Sequence, residues 1–408
     1  MFLFVASLLS FFWVTGIIQS LLPLYHRNKT YKRVGENGEG KSPEVFNAFL
    51  LLCFFSVLFF CIGQSIKGSV SIFNFSGNVP YINLLLFYLL LSNPVCLIEY
   101  IYLLNNRSHR IVQYGLITFT AQLILVLAPV LAGKDFIWSI YGLLVITGVR
   151  WIWLIILLRR YTEMRISFEF MKEHLYLGLP LIITSLISGS AQYIDGIIIF
   201  SVFKDPVSFA TFRYGAKEFP LVLMLANGLS NAMLPEFSTR TQMIESLAKI
   251  KAKSRRLMHF LFPAAMLMLL FAKWLYPRMF APDFIKSAGI FMIYILLIIP
   301  RLIFPQTIVI GRKKTHITLI AAILELAINI PLSIYFAKYY GHGGLGAVGV
   351  ALATFIVYTI EKIFLAGYVW IKMKIKPSEY IPLKIYIIYS VLISILFILI
   401  DHRIIYIH

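Results

Sequence analysis

The sequence predicts an all-α polytopic membrane protein, with about twelve transmembrane helices in two helical bundles. Three observations predict it. The 408 residues are 60% hydrophobic and 13% charged, with a mean hydropathy of +0.83. The basic residues cluster in alternate loops. A sequence frame near the N-terminus returns in the middle of the chain.

Composition excludes a soluble globule. A hydrocarbon core of about 30 Å needs about 20 apolar residues per helix. Twelve such stretches run at 2–24, 45–66, 81–104, 111–132, 136–158, 174–202, 209–234, 257–277, 286–310, 316–338, 345–371 and 385–400. The opening stretch is too long, and lacks the basic start, for a cleaved signal peptide. Cys53, Cys61 and Cys96 fall inside spans and read as buried thiols, not as a disulfide framework or metal site.

The net charge of +19 is a topology signal and not a mark of nucleic-acid binding. The loops at 25–44, 105–110, 159–172, 236–256, 312–314 and 372–384 hold twenty-four Lys and Arg, against seven in the intervening loops and tail. Basic loops stay in the cytoplasm, where anionic membrane lipids also attract them. The chain is expected to cross its membrane many times, with the basic loops on the cytoplasmic side.

Taken in order, the helices suggest a duplication. Gly16-Ile-Ile-Gln-Ser-Leu-Leu-Pro23 matches Gly228-Leu-Ser-Asn-Ala-Met-Leu-Pro235, 212 positions later. Pro94 and Pro300 sit midway along the third and ninth spans, and Pro129 and Pro331 keep a similar offset. The first span then corresponds to the seventh, so the first copy is expected to lack its opening helix. Six spans per copy make the repeats parallel. The expected division is an N-terminal lobe at 1–158, a C-terminal lobe at 173–371 and an added span within 372–408. The longest cytoplasmic loop, Glu236–Arg256, reads as a basic amphipathic helix on the headgroups or as a solvated loop. The run Gly341-His-Gly-Gly-Leu-Gly lacks the Gly-Lys-Ser/Thr ending of a phosphate loop and reads as a loop before a closely packed helix.

Charges inside the spans set the functional question. Arg150, Arg213, Lys217, Arg301 and Lys362 face Glu99, Asp195, Glu218, Glu325 and Glu361. Each costs about 2.5–3.5 kcal/mol at a helix centre unless it meets protein or water. On a continuous seventh helix, Arg213 and Lys217 share a face, and Lys217 and Asp195 lie at equal depth, roughly 12 Å in. One reading pairs Asp195 with Lys217 or Arg213, Arg301 with Glu325, and Arg150 with Glu99. The other has Arg213, Lys217, Arg301 and Arg150 binding an anionic headgroup, with Asp195, Glu218 and Glu325 as counter-ions or coupling groups. No His-Glu-x-x-His, Cys-x-x-Cys or Gly-x-Ser-x-Gly occurs, so the reading is not an enzyme and calls for no cofactor or metal.

The segment Pro180…Asp195…Phe209-Ala-Thr-Phe-Arg-Tyr-Gly-Ala-Lys-Glu-Phe-Pro-Leu…Leu234-Pro235 resembles the start of the second lobe in lipid-linked oligosaccharide flippases (O-antigen and capsule type). These belong to the multidrug/oligosaccharidyl-lipid/polysaccharide exporter superfamily. The resemblance implies two lobes around a central cavity, an undecaprenyl-diphosphate-linked glycan as the transported partner, and alternating access. A coupling cation (H+ or Na+) and polysaccharide assembly proteins would be further partners. A drug or cation exporter of the same superfamily and a polysaccharide polymerase or ligase are the competing readings. Short outer loops oppose the polymerase; an excess of cavity carboxylates over cations would favour the drug or cation exporter, and the five of each sign within the spans balance.

Overall fold

The computed structural model describes residues 2–29, 41–66, 81–204, 206–238, 243–280, 284–338 and 346–401. The outer loop 67–80, Asp205 of the turn 204–206, and the glycine run 341–345 lie outside them, as do Lys32 and Arg33. Among the described residues every regular element is helical, apart from one isolated bridge between Ser42 and Thr162. Within these described residues nine helices are long and apolar enough to cross a membrane, ten if a pair bent by 50° counts as one span, and Phe12–Tyr25 is a shorter apolar helix.

The chain forms two compact units, 1–185 and 186–408. The first holds α1 (Phe2–Lys29), α2 (Pro43–Ile66), α3 (Ile82–Val95), α4 (Leu97–Leu104), α5 (Ser108–Leu131), α6 (Phe136–Tyr161) and the start of α7 (Phe168–Phe203). The division falls within α7, whereas the basic link 159–172 lies wholly in the first unit. That link is fixed in place. Asn47 donates to the Arg165 carbonyl and accepts from the Ser167 amide, both at 2.9 Å.

Between membrane helices, close backbone approach replaces the hydrophobic effect as the source of cohesion. The seam between α1 and α7 shows it. Gly16 and Ser20 on α1 meet His174, Gly178 and Ile182, which recur at four-residue steps on α7. His174 Nε2 donates to the Ile17 carbonyl at 2.8 Å. A Cβ built on Gly16 would lie 2.7 Å from the Ile182 amide nitrogen.

The second unit holds the rest of α7, α8 (Pro206–Gly215), α9 (Pro220–Met233), a 3-10 turn at Pro235–Phe237, α10 (Met243–Met279), α11 (Ile285–Leu296), α12 (Ile298–Arg301), α13 (Pro305–Gly311), α14 (Thr315–Lys338), α15 (Gly346–Met373), α16 (Pro377–Tyr380) and α17 (Leu383–Asp401). Its core is built on α10. Met258, Leu261, Phe262, Ala265, Leu269, Ala272 and Tyr276 are buried at helical spacing.

Two sequence expectations need correction here. The span expected at 209–234 is two helices, because residues 216–219 leave the helix. Pro220 opens α9, and the residue before a proline avoids the helical region; Phe219 accordingly has φ −63° and ψ 111°. Of the two readings of Glu236–Arg256, the solvated loop gives way to helix: from Met243 the stretch is continuous with the next span. At 1.5 Å per residue those 37 residues extend about 56 Å, well beyond the hydrocarbon, so the basic first turns stand clear of it.

The repeated frame also differs between its copies. α1 continues through Pro23, whereas α9 ends before Pro235, which opens the 3-10 turn. A Cβ on Gly228 meets nothing within 4 Å. Gly16→Ala should therefore overpack the α1–α7 seam by about 1–3 kcal/mol and lower the unfolding midpoint of the purified protein by a few degrees. Gly228→Ala should leave the midpoint unchanged or raise it, since alanine is the better helix former. Parallel thermal melts in one detergent measure both.

Candidate functional site

The site is best built from α14 and α15. Glu325, Asn329 and Ser333 follow at four-residue steps on α14, and Thr354, Tyr358 and Lys362 do the same on α15. Each set forms a stripe along an otherwise apolar helix. The two stripes meet at Asp195, near the end of α7, which is 1% exposed. Asn329 Nδ2 donates to Asp195 Oδ1 at 3.1 Å and Thr354 Oγ1 to Oδ2 at 2.9 Å. The Tyr294 hydroxyl hydrogen-bonds the same carboxyl, and Ser333 Oγ donates to Asn329 Oδ1 at 2.7 Å.

Asp195 therefore sits among neutral donors, where the sequence predicts Lys217 or Arg213. The break at 216–219 explains the difference. Lys217 is no longer on a helix, so the four-residue spacing does not align it with Arg213, and both side chains are exposed. Close packing holds the break. A Cβ on Gly215 would lie 2.5 Å from the Ser287 carbonyl. Carbonyls left open at the end of α8 are met by side chains: Ser287 Oγ donates to Thr211 O at 2.7 Å and the Tyr276 hydroxyl to Tyr214 O at 3.0 Å.

One step along the stripes lies an ion-pair cluster. Glu218, in the non-helical stretch, takes a forked bond from Arg301 at the end of α12, with Nε at 3.1 Å from Oε2 and Nη2 at 2.5 Å from Oε1. The ring of Tyr358 has Arg301 and Lys362 each 4.7 Å from its centroid. Lys362 Nζ is 2.9 Å from Glu361 Oε2 and donates to Gln306 Oε1 at 3.1 Å. Arg301 is thus committed to Glu218, which corrects the Arg301–Glu325 pair expected from the sequence. Glu325 is half-buried and lies in the field of Glu361, Lys362, Arg301 and Asp195. This interior holds four carboxylates, Asp195, Glu218, Glu325 and Glu361, against two cations, Arg301 and Lys362.

In the first unit, Arg150 Nη2 donates to Gln122 Oε1 at 2.9 Å, and Arg150 Nε is buried without a hydrogen-bond partner among the described residues. Glu99 feels the Arg150 charge but makes no ion pair with it within 4 Å, so the expected Arg150–Glu99 contact is corrected to Arg150–Gln122. A long side chain reaches the nearer amide across the α5–α6 packing.

Sequence reasoning missed Asn329, Ser333, Thr354, Tyr294, Tyr358, Gln306 and Gln122. A signal was present for some. Asn329 and Ser333 continue the Glu325 stripe, and Thr354 and Tyr358 precede Lys362 by eight and four residues. No group of three or more His, Cys, Asp or Glu placed to hold a metal ion occurs among the described residues. The Asp195 cluster instead offers one carboxylate with amide and hydroxyl oxygens, a donor set suited to a proton or a hard monovalent cation.

Comparison with known proteins bears on this arrangement. The fold matches a mutant of the Vibrio cholerae MATE transporter VcmN with a TM-score of 0.70 at 12% identity, covering 90% of this chain and 87% of that one. A transporter of the MOP superfamily from Pyrococcus furiosus, described as having a binding pocket of reversed polarity, matches with a TM-score of 0.70 at 13% identity over 91% and 86%. The MATE transporter ClbM, solved in complex with Rb+, matches with a TM-score of 0.65 at 13% identity over 88% and 84%. No curated protein matches the sequence. These likenesses establish the fold that those proteins share. A family model described as polysaccharide biosynthesis protein matches residues 30–288, which include Arg150, Asp195, Arg213, Lys217 and Glu218 but not Arg301 or Glu325. On that match over more than half of its length, the chain belongs to the polysaccharide biosynthesis protein family.

Proposed function

We propose that the protein moves an undecaprenyl-diphosphate-linked oligosaccharide from the cytoplasmic to the outer leaflet of a bacterial inner membrane, by alternating access of two helical bundles, for surface polysaccharide assembly. The family supports a role in polysaccharide biosynthesis, and the fold supports transport. The observation that carries the substrate class is the pair Arg213 and Lys217. Both are exposed at a helix break within an apolar segment, and neither has a carboxylate within ion-pair distance among the described residues. Exposed cations in such a place suit a diphosphate or an acidic sugar, which they meet by charge-assisted hydrogen bonds. Arg150, with its unpartnered Nε, is the corresponding group in the first unit. Arg301 is held by Glu218 and serves the site by fixing the break.

The carboxylate-rich interior of the second unit takes the coupling role. Four carboxylates against two cations leave a deficit that a proton or Na+ would fill, with Asp195 as the receiving group. The Thr354 hydroxyl has two acceptors within reach, Asp195 Oδ2 at 2.9 Å and the Val350 carbonyl at 3.1 Å. It can release the carboxylate when a cation arrives without losing its own hydrogen bond. The same excess of carboxylates is the observation that favours a drug or cation exporter as the second reading.

Deleting the gene and assaying the sidedness of lipid-linked glycan separates the two. Complete lipid-linked oligosaccharide accumulating on the cytoplasmic leaflet, with loss of surface polysaccharide, supports flipping. Normal glycan with altered tolerance to cationic drugs supports the exporter. In the flipping assay Lys217→Met should reduce transport about tenfold or more, the worth of a charge-assisted hydrogen bond, at unchanged membrane abundance; full transport would remove Lys217 from the site. Asp195→Asn, of equal volume, should abolish the dependence of transport on a Na+ or proton gradient. A variant that keeps that dependence would place coupling elsewhere.

A further inference from the structure

A second site lies in the first unit, away from the charges considered so far. A crevice of about 380 Å³ opens where α4, α5 and α6 meet, at the basic and therefore cytoplasmic end of these helices. That size falls in the ordinary range of small-ligand pockets, about 300–1,000 Å³. Its mouth carries Arg107, Arg110 and Arg160. Its wall is a stripe of α6, where Val149, Ile152 and Ile156 lead up to Arg160 at steps of three and four residues. All three apolar side chains are exposed, Ile152 by 63% and Ile156 by 59%. In a membrane-spanning helix, exposed apolar side chains of this kind face acyl chains.

The charge at its mouth is concentrated. Tyr161, itself buried, has the Arg107 guanidinium 5.4 Å and the Arg160 guanidinium 5.5 Å from its ring centroid. One ring thus gathers two like charges, and Arg110 adds a third at the same mouth. Neither Arg110 nor Arg160 has an ion-pair partner among the described residues. Arg107 and Arg110 also lie at the start of the 24-residue α5, which has no side-chain cap and whose dipole adds to the positive field. Tyr102 brings a polar group to the wall, and it is already engaged by Trp153 Nε1 at 2.9 Å.

From the convergence of three guanidiniums above a lipid-facing apolar groove we infer a binding site for an anionic glycerophospholipid of the cytoplasmic leaflet. The phosphate sits between the arginines, where guanidinium geometry suits a forked bond to two oxygens, and one acyl chain lies along Val149, Ile152 and Ile156. A soluble phosphate would leave the apolar wall unused. A zwitterionic lipid would bring its own cation to a mouth that already holds three. This inference is independent of the transport reading.

Native mass spectrometry of the full chain in detergent tests it, with phosphatidylglycerol and phosphatidylcholine of identical acyl chains as probes. The wild type should retain phosphatidylglycerol in preference to phosphatidylcholine. Each guanidinium removed should weaken the anionic lipid about fivefold, so Arg110→Gln with Arg160→Gln should weaken it about twenty-five-fold. A charge-matched control in the second unit, Lys374→Gln with Lys376→Gln, should bind as the wild type does. If the double variant does not elute as one species, Arg110→Gln alone, on an exposed side chain, carries the test at about fivefold. Equal retention of both lipids by the wild type, or unchanged binding by the arginine variants, overturns the proposal. Displacement of phosphatidylglycerol by equimolar undecaprenyl diphosphate also overturns it, by assigning the crevice to a diphosphate lipid.

Discussion

The forked bond between Arg301 and Glu218 is the contact on which the polar interior of the second unit depends. It joins two places where the backbone leaves the helix, residues 216–219 and the bend after Arg301. Non-helical backbone at membrane depth is tolerated only where protein or water meets its open amides and carbonyls. Here the two breaks are brought together and tied by the strongest kind of side-chain bond. Removing either partner would strand a half-buried charge, a loss of about 3–5 kcal/mol for a buried pair. Nearby, Ser287 and Tyr276 take up carbonyls at the end of α8, so the break is held by backbone satisfaction as well as by charge.

With Arg301 committed, the remaining charges sort themselves. Lys362 is engaged by Glu361 and Gln306 and stands over Tyr358. Asp195 and Glu325 are left without a dedicated cation. The donors around Asp195 are an amide and hydroxyls, which stabilise a carboxylate without neutralising it. A group held this way keeps its affinity for an arriving positive charge, whereas a carboxylate locked to an arginine does not. On the proposed reading, the contrast between Asp195 and Glu218 separates the coupling group from a structural one, although both are acids within apolar segments.

The helical architecture was legible because hydrophobic length and basic-loop alternation are local, additive signals. Residues such as Arg159, Arg160 and Lys372 mark span ends wherever the helices pack. The partners of the buried charges were not legible, because they depend on which faces meet across long sequence separations. Asp195 and Thr354 are 159 positions apart, and Arg301 and Glu218 are 83 apart. The misreading of Lys217 has a more specific cause. Counting by fours assumed an unbroken helix, yet Gly215 and Pro220 stood on either side of it as stop and start signals. Hydropathy overrode punctuation in that reading, and the chain follows the punctuation.

Separating an exposed cationic patch from a buried acidic cluster has an energetic consequence for transport. An ion can drive a two-state protein only as far as its affinities for the two states differ. Moving the population from one per cent to ninety-nine per cent takes about a 10⁴-fold difference, roughly 5.5 kcal/mol. On the proposed reading, uptake of a cation by Asp195 supplies a difference of that kind, because the Asn329 and Thr354 bonds to its carboxylate must rearrange when the cation arrives. An anionic substrate held at Arg213 and Lys217 needs no direct contact with that ion. It needs only that the helix end bearing Arg213, and the stretch bearing Lys217, respond to the packing of α11 against Gly215. Tyr294 on α11 bonds Asp195, and Ser287 on the same helix bonds the end of α8. α11 therefore touches both the acidic cluster and the end of the helix that bears Arg213, and on the proposed reading it is an element through which filling one would be felt at the other.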